Sequence, residues 1–282
     1  MSTETTAMSP RLTFALNHIA TAQLRLAAFL DLARSLGIRQ VEIRNDLPGI
    51  EIADGVDPAT VRREAETREI EILTINALYP FELWSPERAE QADRLAGYAA
   101  ACGARALVMC PYNTFADTRS PGERAADLRA ALKGLRPVLE RHEVMGLVEP
   151  LGFPESALRT KRAAVDAIDE LGMGDRFQVL HDTFHHYLAG EKELFPERTG
   201  LVHISGVEDA SLALDKTRDE HRVLVGPADL MNNVGQIRAL RAGGYAGPFS
   251  LEPFSPAVHT LADPASAIRQ SFEFIARQAA IA

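Results

Sequence analysis

Only two cysteines, Cys102 and Cys110, occur in 282 residues. That excludes a disulfide-stapled scaffold, and without a CxxC pair there is no zinc knuckle. The chain also lacks any apolar run of about 18 residues or more, so no transmembrane helix is expected. Its opening, MSTETTAMSPR, carries Glu4 and has no apolar stretch of the kind a secretory leader needs. Residues 1–10 are therefore read as a flexible N-terminal arm, residues 11–282 as the folded domain, and the cytoplasm as the expected location. No run of Lys and Arg stands out against a formal net charge of −9. A nucleic-acid partner is not expected, because phosphate binding needs a basic face. A small neutral or weakly charged molecule is the expected partner, and a homo-oligomer is compatible with these features.

What is present is an alternation of short apolar runs and longer amphipathic segments. Strands are predicted at 12–17 (LTFALN), 40–45 (QVEIRN), 71–76 (EILTIN), 106–111 (ALVMCP), 145–150 (MGLVEP), 177–182 (FQVLHD), 200–205 (GLVHIS) and 248–253 (PFSLEP). Each is an apolar or alternating stretch bounded by polar or turn residues. Between them, Phe29, Leu32, Ala33 and Leu36 form one helical stripe ended by Gly37, and Ala89, Ala92, Leu95, Ala96 and Ala99 form another. Asp57-Pro58, Ser85-Pro86 and Asp263-Pro264 each place a capping side chain before a proline at the first helical position. Further helices are predicted over 121–142, 163–171 and 230–242, and the one opened at Pro264 runs to about residue 280. Eight strands separated by helices predict an α/β protein built as a single (β/α)8 TIM barrel. A doubly wound open sheet is the alternative. The turn after the first strand reads NHIATAQL, however, without the glycines of a dinucleotide-binding turn, so no nicotinamide or flavin site is expected.

In such a barrel the C-terminal ends of the strands meet around one mouth, where the active site lies. Those ends carry Asn17 and His18, Arg44 and Asn45, Asn76, Asn113, Glu149, Asp182, His203 and Glu252. Taken singly, a strand-end carboxylate is more often a helix cap or a surface ion pair. Three carboxylates and an imidazole on four successive strand ends point instead to one shared site, where a divalent cation would offset the mutual repulsion. Mixed oxygen and imidazole ligation suits Mn²⁺, Co²⁺, Zn²⁺ or Mg²⁺. Glu149 and Glu252 are each followed by proline, in VEPLGFP and LEPFSPA. Proline favours extended backbone before it and leaves each carboxylate at the rim. Two such glutamates suit the movement of a proton across a small substrate. The segment FELW (81–84) is either an apolar wall over the mouth or a loop anchor. His181 is expected in the barrel–helix layer, and His186 has no assigned role.

With DTFH at 182–185, the two Glu-Pro strand ends, the histidine of LVHIS and the eight-strand layout, the sequence resembles the xylose isomerase-like TIM-barrel superfamily. That group holds sugar isomerases, ketose 3-epimerases, inosose isomerases and dehydratases, and DNA repair enzymes of the endonuclease IV type. The resemblance covers nearly the whole chain after the first ten residues. It implies that Glu149, Asp182, His203 and Glu252 hold one divalent metal. It also implies that Glu155, His185 and, more loosely, Arg222 contact substrate. The opening NHIATAQLRLAAFLDLARSLG with VEIRNDL is similar to bacterial inosose (2-keto-myo-inositol) isomerase-like proteins, a place in inositol catabolism.

The implied activity is an isomerase that moves a carbonyl between adjacent carbons of a polyhydroxy ketone through an enediolate. Either Glu149 or Glu252 would take the proton. Asn17, His18, Arg44, Asn76, Asn113 and Arg222 would orient hydroxyls or, equally, tie down loops. A ketose 3-epimerase and an inosose dehydratase share the same intermediate. A repair nuclease of the endonuclease IV type, with histidines at its early strand ends, fits poorly where this chain has Asn76 and Asn113. A non-catalytic sugar-binding module has no reason to keep four ligands in register.

Overall fold

The computed structural model describes residues 12–47 and 52–280, so the arm expected at 1–10 lies outside the described residues. Eight strands follow one another in the order β1 (Phe14–Asn17), β2 (Gln40–Arg44), β3 (Glu71–Leu78), β4 (Ala106–Met109), β5 (Met145–Val148), β6 (Phe177–Asp182), β7 (Thr199–Ile204) and β8 (Phe249–Leu251). Each pairs in parallel with its sequence neighbours, and β8 returns to β1 to close the barrel. Leu16 of β1 pairs with Val41 on one side and Leu251 on the other, so no edge is left of the kind an open doubly wound sheet would have. The TIM-barrel reading of the sequence is the observed fold.

The helices are α1 (Leu26–Ser35), α2 (Pro58–Thr67), α3 (Pro86–Cys102), α4 (Pro121–His142), α5 (Lys161–Glu170), α6 (Thr183–Ala189), α7 (Asn233–Ala242), α8 (Pro256–His259) and α9 (Pro264–Ala280). Their starts are set by local chemistry. Asp57 accepts a hydrogen bond from the Thr60 amide and Ser85 from the Arg88 amide, each with proline at the first helical position. Ser120 and Glu123 form a reciprocal capping box ahead of the 22-residue α4. Helix α6 was not expected, because Asp182 reads as the end of a strand. It is also the N-cap of α6, its carboxylate accepting from the amides of Phe184 and His185. Among the described residues no helix is long and apolar enough to cross a membrane.

Alternation along the strands divides the barrel into two storeys. Val41, Ile43, Ile75, Leu107, Met109, Val148 and Ile204 face outward and pack with the helices in the main apolar layer. The lower interior is a second apolar cluster built from Ala15, Leu73, Ala106, Val108, Leu147, Leu180 and Leu201. Above that plug the inward positions turn polar, and Asn17, Glu42, Thr74, Asp182, His203, Ser250 and Glu252 are all buried there. FELW proves to be an anchor: Phe81 is fully buried in the main layer, and Glu82 accepts from the Tyr112 amide and pairs with Arg119. His181 lies in the barrel–helix layer as expected, with Nε2 2.9 Å from Gln236 Oε1 of α7. His186 meets the buried Lys161 ammonium at 2.8 Å through Nδ1, and Lys161 pairs with Glu191 at 2.6 Å.

The loop after β5 crosses α6 so closely that a methyl at Gly152 would sit 2.1 Å from the His185 carbonyl oxygen and 2.9 Å from the Ala189 amide nitrogen. Backbone on both sides leaves no easy relief. We expect Gly152→Ala to cost about 1–3 kcal/mol in urea denaturation, the usual range for overpacking. Gly122→Ala, whose new methyl would come no nearer than 4.0 Å to Ser120 Oγ, should leave stability unchanged or slightly raised. Equal midpoints for the two variants would show that α6 is free to move.

Candidate metal centre

The C-terminal ends of β6 and β7 and the residues just past β5 and β8 bring four side chains to one point. Asp182 is in register with His203, and His203 with Ser250, two residues before Glu252. One ligand atom from each of Glu149, Asp182, His203 and Glu252 lies within 4.8 Å of the others, and all four residues are buried. His203 Nδ1 stands at their centre, 3.0 Å from Glu252 Oε2, 3.2 Å from Glu149 Oε1 and 4.0 Å from Asp182 Oδ2.

Three carboxylates so close together need positive charge. Arg222 Nη2 bridges Asp182 Oδ2 at 2.6 Å and Glu252 Oε2 at 2.9 Å, while Arg44 Nη1 donates to Glu252 Oε1 at 2.7 Å. Both guanidiniums are buried and lie against the Phe254 ring, with Arg222 also over Phe184. Burial alone would raise the Glu252 pKa, but His203, Arg222 and Arg44 hold it well below the usual carboxylate range. Burial would likewise lower the pKa of His203. The Glu252, Glu42 and Glu149 carboxylates outweigh it and hold the imidazole well above its ordinary value.

The donor set fits a divalent cation. Four buried carboxylates, Glu42 included, face two buried guanidiniums. A doubly charged ion beside a neutral imidazole would balance them, whereas a proton on His203 balances only part. Oxygen-rich ligation with one imidazole and no thiolate is the chemistry of a hard or borderline ion. Cys110 is near, but burial and the Glu149 carboxylate push its thiol well above the usual range, and it donates to Glu149 Oε2 at 3.3 Å.

Around this centre the structure distributes the other residues singled out from sequence. Asn113 forms a bridge with Ser156 on the loop that carries Glu155, and Arg218 reaches to 3.8 Å from Glu155 Oε1 while lying over the Phe153 ring. His185 packs edge-on against Phe153 and Phe184. Asn113 Oδ1, Glu155 Oε2 and His185 Nδ1 are buried without a hydrogen-bond partner among the described residues. Such atoms are costly unless something else satisfies them, and a polyhydroxylated ligand would do so. His18 is engaged differently: its Nε2 meets the Leu24 carbonyl at 2.8 Å and its ring stacks on Phe29. Asn76 turns inward and donates to Glu42 Oε2 at 3.3 Å, and Asn17 donates to both Glu42 and Glu252 at 3.2 Å.

Sequence reasoning passed over Glu42. It is fully buried and lies beside His203 Nε2, at 3.0 Å through Oε1 and 3.1 Å through Oε2. The available signal was Arg44, two residues on: a rim residue facing inward places the side chain two before it in the same interior. Ser250 and Arg218 were passed over as well, the first inside the barrel and the second on the long loop after β7.

The chain's similarities agree with this architecture. Residues 30–278 match the xylose isomerase-like TIM barrel family. A xylose isomerase domain-containing protein from Salmonella typhimurium LT2 is 34% identical, with a TM-score of 0.84 over 96% of this chain and 98% of that one. The IOLI protein with a bound zinc atom superposes with a TM-score of 0.82 at 19% identity, covering 95% of this chain and 98% of its own. D-psicose 3-epimerase from Clostridium cellulolyticum H10, seen with D-tagatose, gives 0.68 at 15% identity over 95% and 96% of the two chains. No curated protein matches the chain in sequence. The match over most of its length and the solved relative at 34% identity together show that this chain belongs to the xylose isomerase-like TIM barrel family.

Proposed function

We propose that this protein is a divalent-metal-dependent isomerase that moves a carbonyl between adjacent carbons of a polyhydroxy ketone, with 2-keto-myo-inositol as substrate. The observation that carries the reading is that two glutamates from different strand ends, Glu149 and Glu252, share one ligand cluster with Asp182 and His203. The zinc atom in the IOLI protein and the sugar in the epimerase support the same class of chemistry. The choice of a cyclic polyol rests on the resemblance of the NHIATAQL and VEIRNDL segments to inosose isomerase-like proteins.

Glu149, Asp182, His203 and Glu252 would hold the ion, which polarises a carbonyl and stabilises negative charge developing on the adjacent oxygens. The remaining work belongs to the side chains. Glu252 shares its charge with two guanidiniums, which weakens it as a base. Glu149 has an imidazole and a thiol as its neighbours. Glu149 is therefore assigned to take the proton from the carbon bearing the hydroxyl, leaving an enediolate, and to return it to the former carbonyl carbon. His185, whose Nδ1 is buried without a partner among the described residues, would pass a proton between the two oxygens, while Glu155, Asn113, Arg218 and Arg222 would orient hydroxyls. Arg44 holds Glu252 in place. If Glu252 instead returned a proton to the same carbon that Glu149 had deprotonated, on its opposite face, the carbonyl would stay in place and the outcome would be epimerisation.

Incubation of the Mn²⁺-loaded protein with 2-keto-myo-inositol in D₂O, followed by proton NMR, should show metal-dependent formation of an isomeric inosose. Glu149→Gln should slow it by about 10²–10⁴-fold, the range for loss of a general base. Inversion without carbonyl migration would replace the reading with an epimerase, and loss of water with a dehydratase. A second expectation follows from the raised pKa of His203. The metal-free imidazole carries a proton at pH 7 that an ion must displace, so binding releases about one proton and weakens about tenfold per pH unit as pH falls below that pKa. Calorimetric titration with Mn²⁺ in buffers of different ionisation enthalpy reads this directly, and no proton release would contradict it.

A further inference from the structure

We propose that Glu42 is the positioning residue of the metal centre: its carboxylate fixes His203 in the tautomer that carries hydrogen on Nε2 and keeps the Nδ1 lone pair for the ion. The proposal rests on the metal reading above and assigns a role to a residue outside the ligand set. Four observations carry it.

The first is placement. Glu42 is fully buried in the polar storey of the barrel interior, beside His203 and outside the four-residue ligand cluster. A carboxylate taken that far from water persists only if its oxygens are fully hydrogen-bonded. The second is saturation. Oε1 accepts from Asn17 at 3.2 Å and, at very short range, from the Ser250 hydroxyl. Oε2 accepts from Thr74 at 2.7 Å and Asn76 at 3.3 Å, and His203 Nε2 approaches both oxygens.

The third is rigidity. Those donors come from β1, β3, β7 and β8, so the carboxylate is held from four strands and has no freedom to turn towards the ion itself. The fourth is polarity. A carboxylate saturated by donors offers His203 Nε2 only an acceptor, so that nitrogen must be the one bearing hydrogen. Nδ1, facing Glu149, Asp182 and Glu252, is then the only ring nitrogen left to ligate. A carboxylate behind a ligating imidazole sets the ring's tautomer and orientation and raises its basicity as a ligand, and losing such a partner typically weakens metal binding 10–100-fold.

The experiment compares Glu42→Gln with the wild-type protein by calorimetric titration with Zn²⁺, alongside cooperative unfolding to show that the variant folds. The variant should bind about 10–100-fold more weakly. Long-range ¹H–¹⁵N NMR of the zinc-loaded wild-type protein should show His203 with hydrogen on Nε2 and a metal-shifted Nδ1, a readout that needs no variant to fold. Equal affinity for both proteins, or a wild-type spectrum with hydrogen on Nδ1, overturns the role of Glu42 while leaving the metal reading intact. Absence of zinc binding by the wild-type protein overturns the metal reading, and this proposal with it.

Discussion

Negative charge buried at the top of the barrel is the constraint around which the rest of the molecule is arranged. Glu42, Glu149, Asp182 and Glu252 are all at most 3% exposed, a condition that costs several kcal/mol per ion unless positive charge and donors are at hand. Arg44 and Arg222 are folded into the same volume for that reason, stacked against Phe254 and pointing at Glu252 from two sides. His203 links the two parts of the arrangement, with one nitrogen beside Glu42 and the other among the carboxylates of Glu149 and Glu252. Removing any one cation leaves an anion exposed to its neighbours in a medium that screens poorly.

Stability for such a site must come from elsewhere. The closed sheet, the apolar plug beneath the polar storey and the barrel–helix layer supply it. Phe29, Phe177 and Phe249 are essentially fully buried in that layer, each contributing about 1.5–3 kcal/mol by ordinary transfer arguments. The division of labour is the one the fold permits in general, with packing at the bottom and chemistry at the top. In this chain the boundary falls between neighbouring inward positions of single strands. Leu180 packs in the plug and Asp182, two residues later, joins the buried cluster of candidate ligands.

Much of this was legible in the sequence because it is written in local chemistry. The helix read over 121–142 is α4 with the same bounds, and β6 ends at Asp182 as its apolar run does. The rim residues could be named because strand ends in a barrel share one mouth, whatever lies between them in the chain. What was not legible had three physical causes. In a parallel barrel both faces of a strand are buried, so the alternation in QVEIR does not by itself tell inside from outside, and Glu42 was passed over where only its spacing from Arg44 marked it. Asp182 serves as strand end and helix cap at once, which hid α6 behind it. The contacts of Arg222 depend on the path of the long loop after β7, where no periodicity constrains the chain, and local pattern could not show that it reaches both Asp182 and Glu252.

The central claim is that His203 Nδ1 and three carboxylates form one cation site, with Glu42 behind it. The most direct measurement is a crystal structure of the protein grown with Mn²⁺, read by anomalous scattering at the manganese edge. The account predicts a single strong peak bonded to Glu149, Asp182, His203 Nδ1 and Glu252, with His203 Nε2 on Glu42. A peak elsewhere, or an empty cluster with Arg222 and His203 neutralising the carboxylates at saturating Mn²⁺, would contradict it.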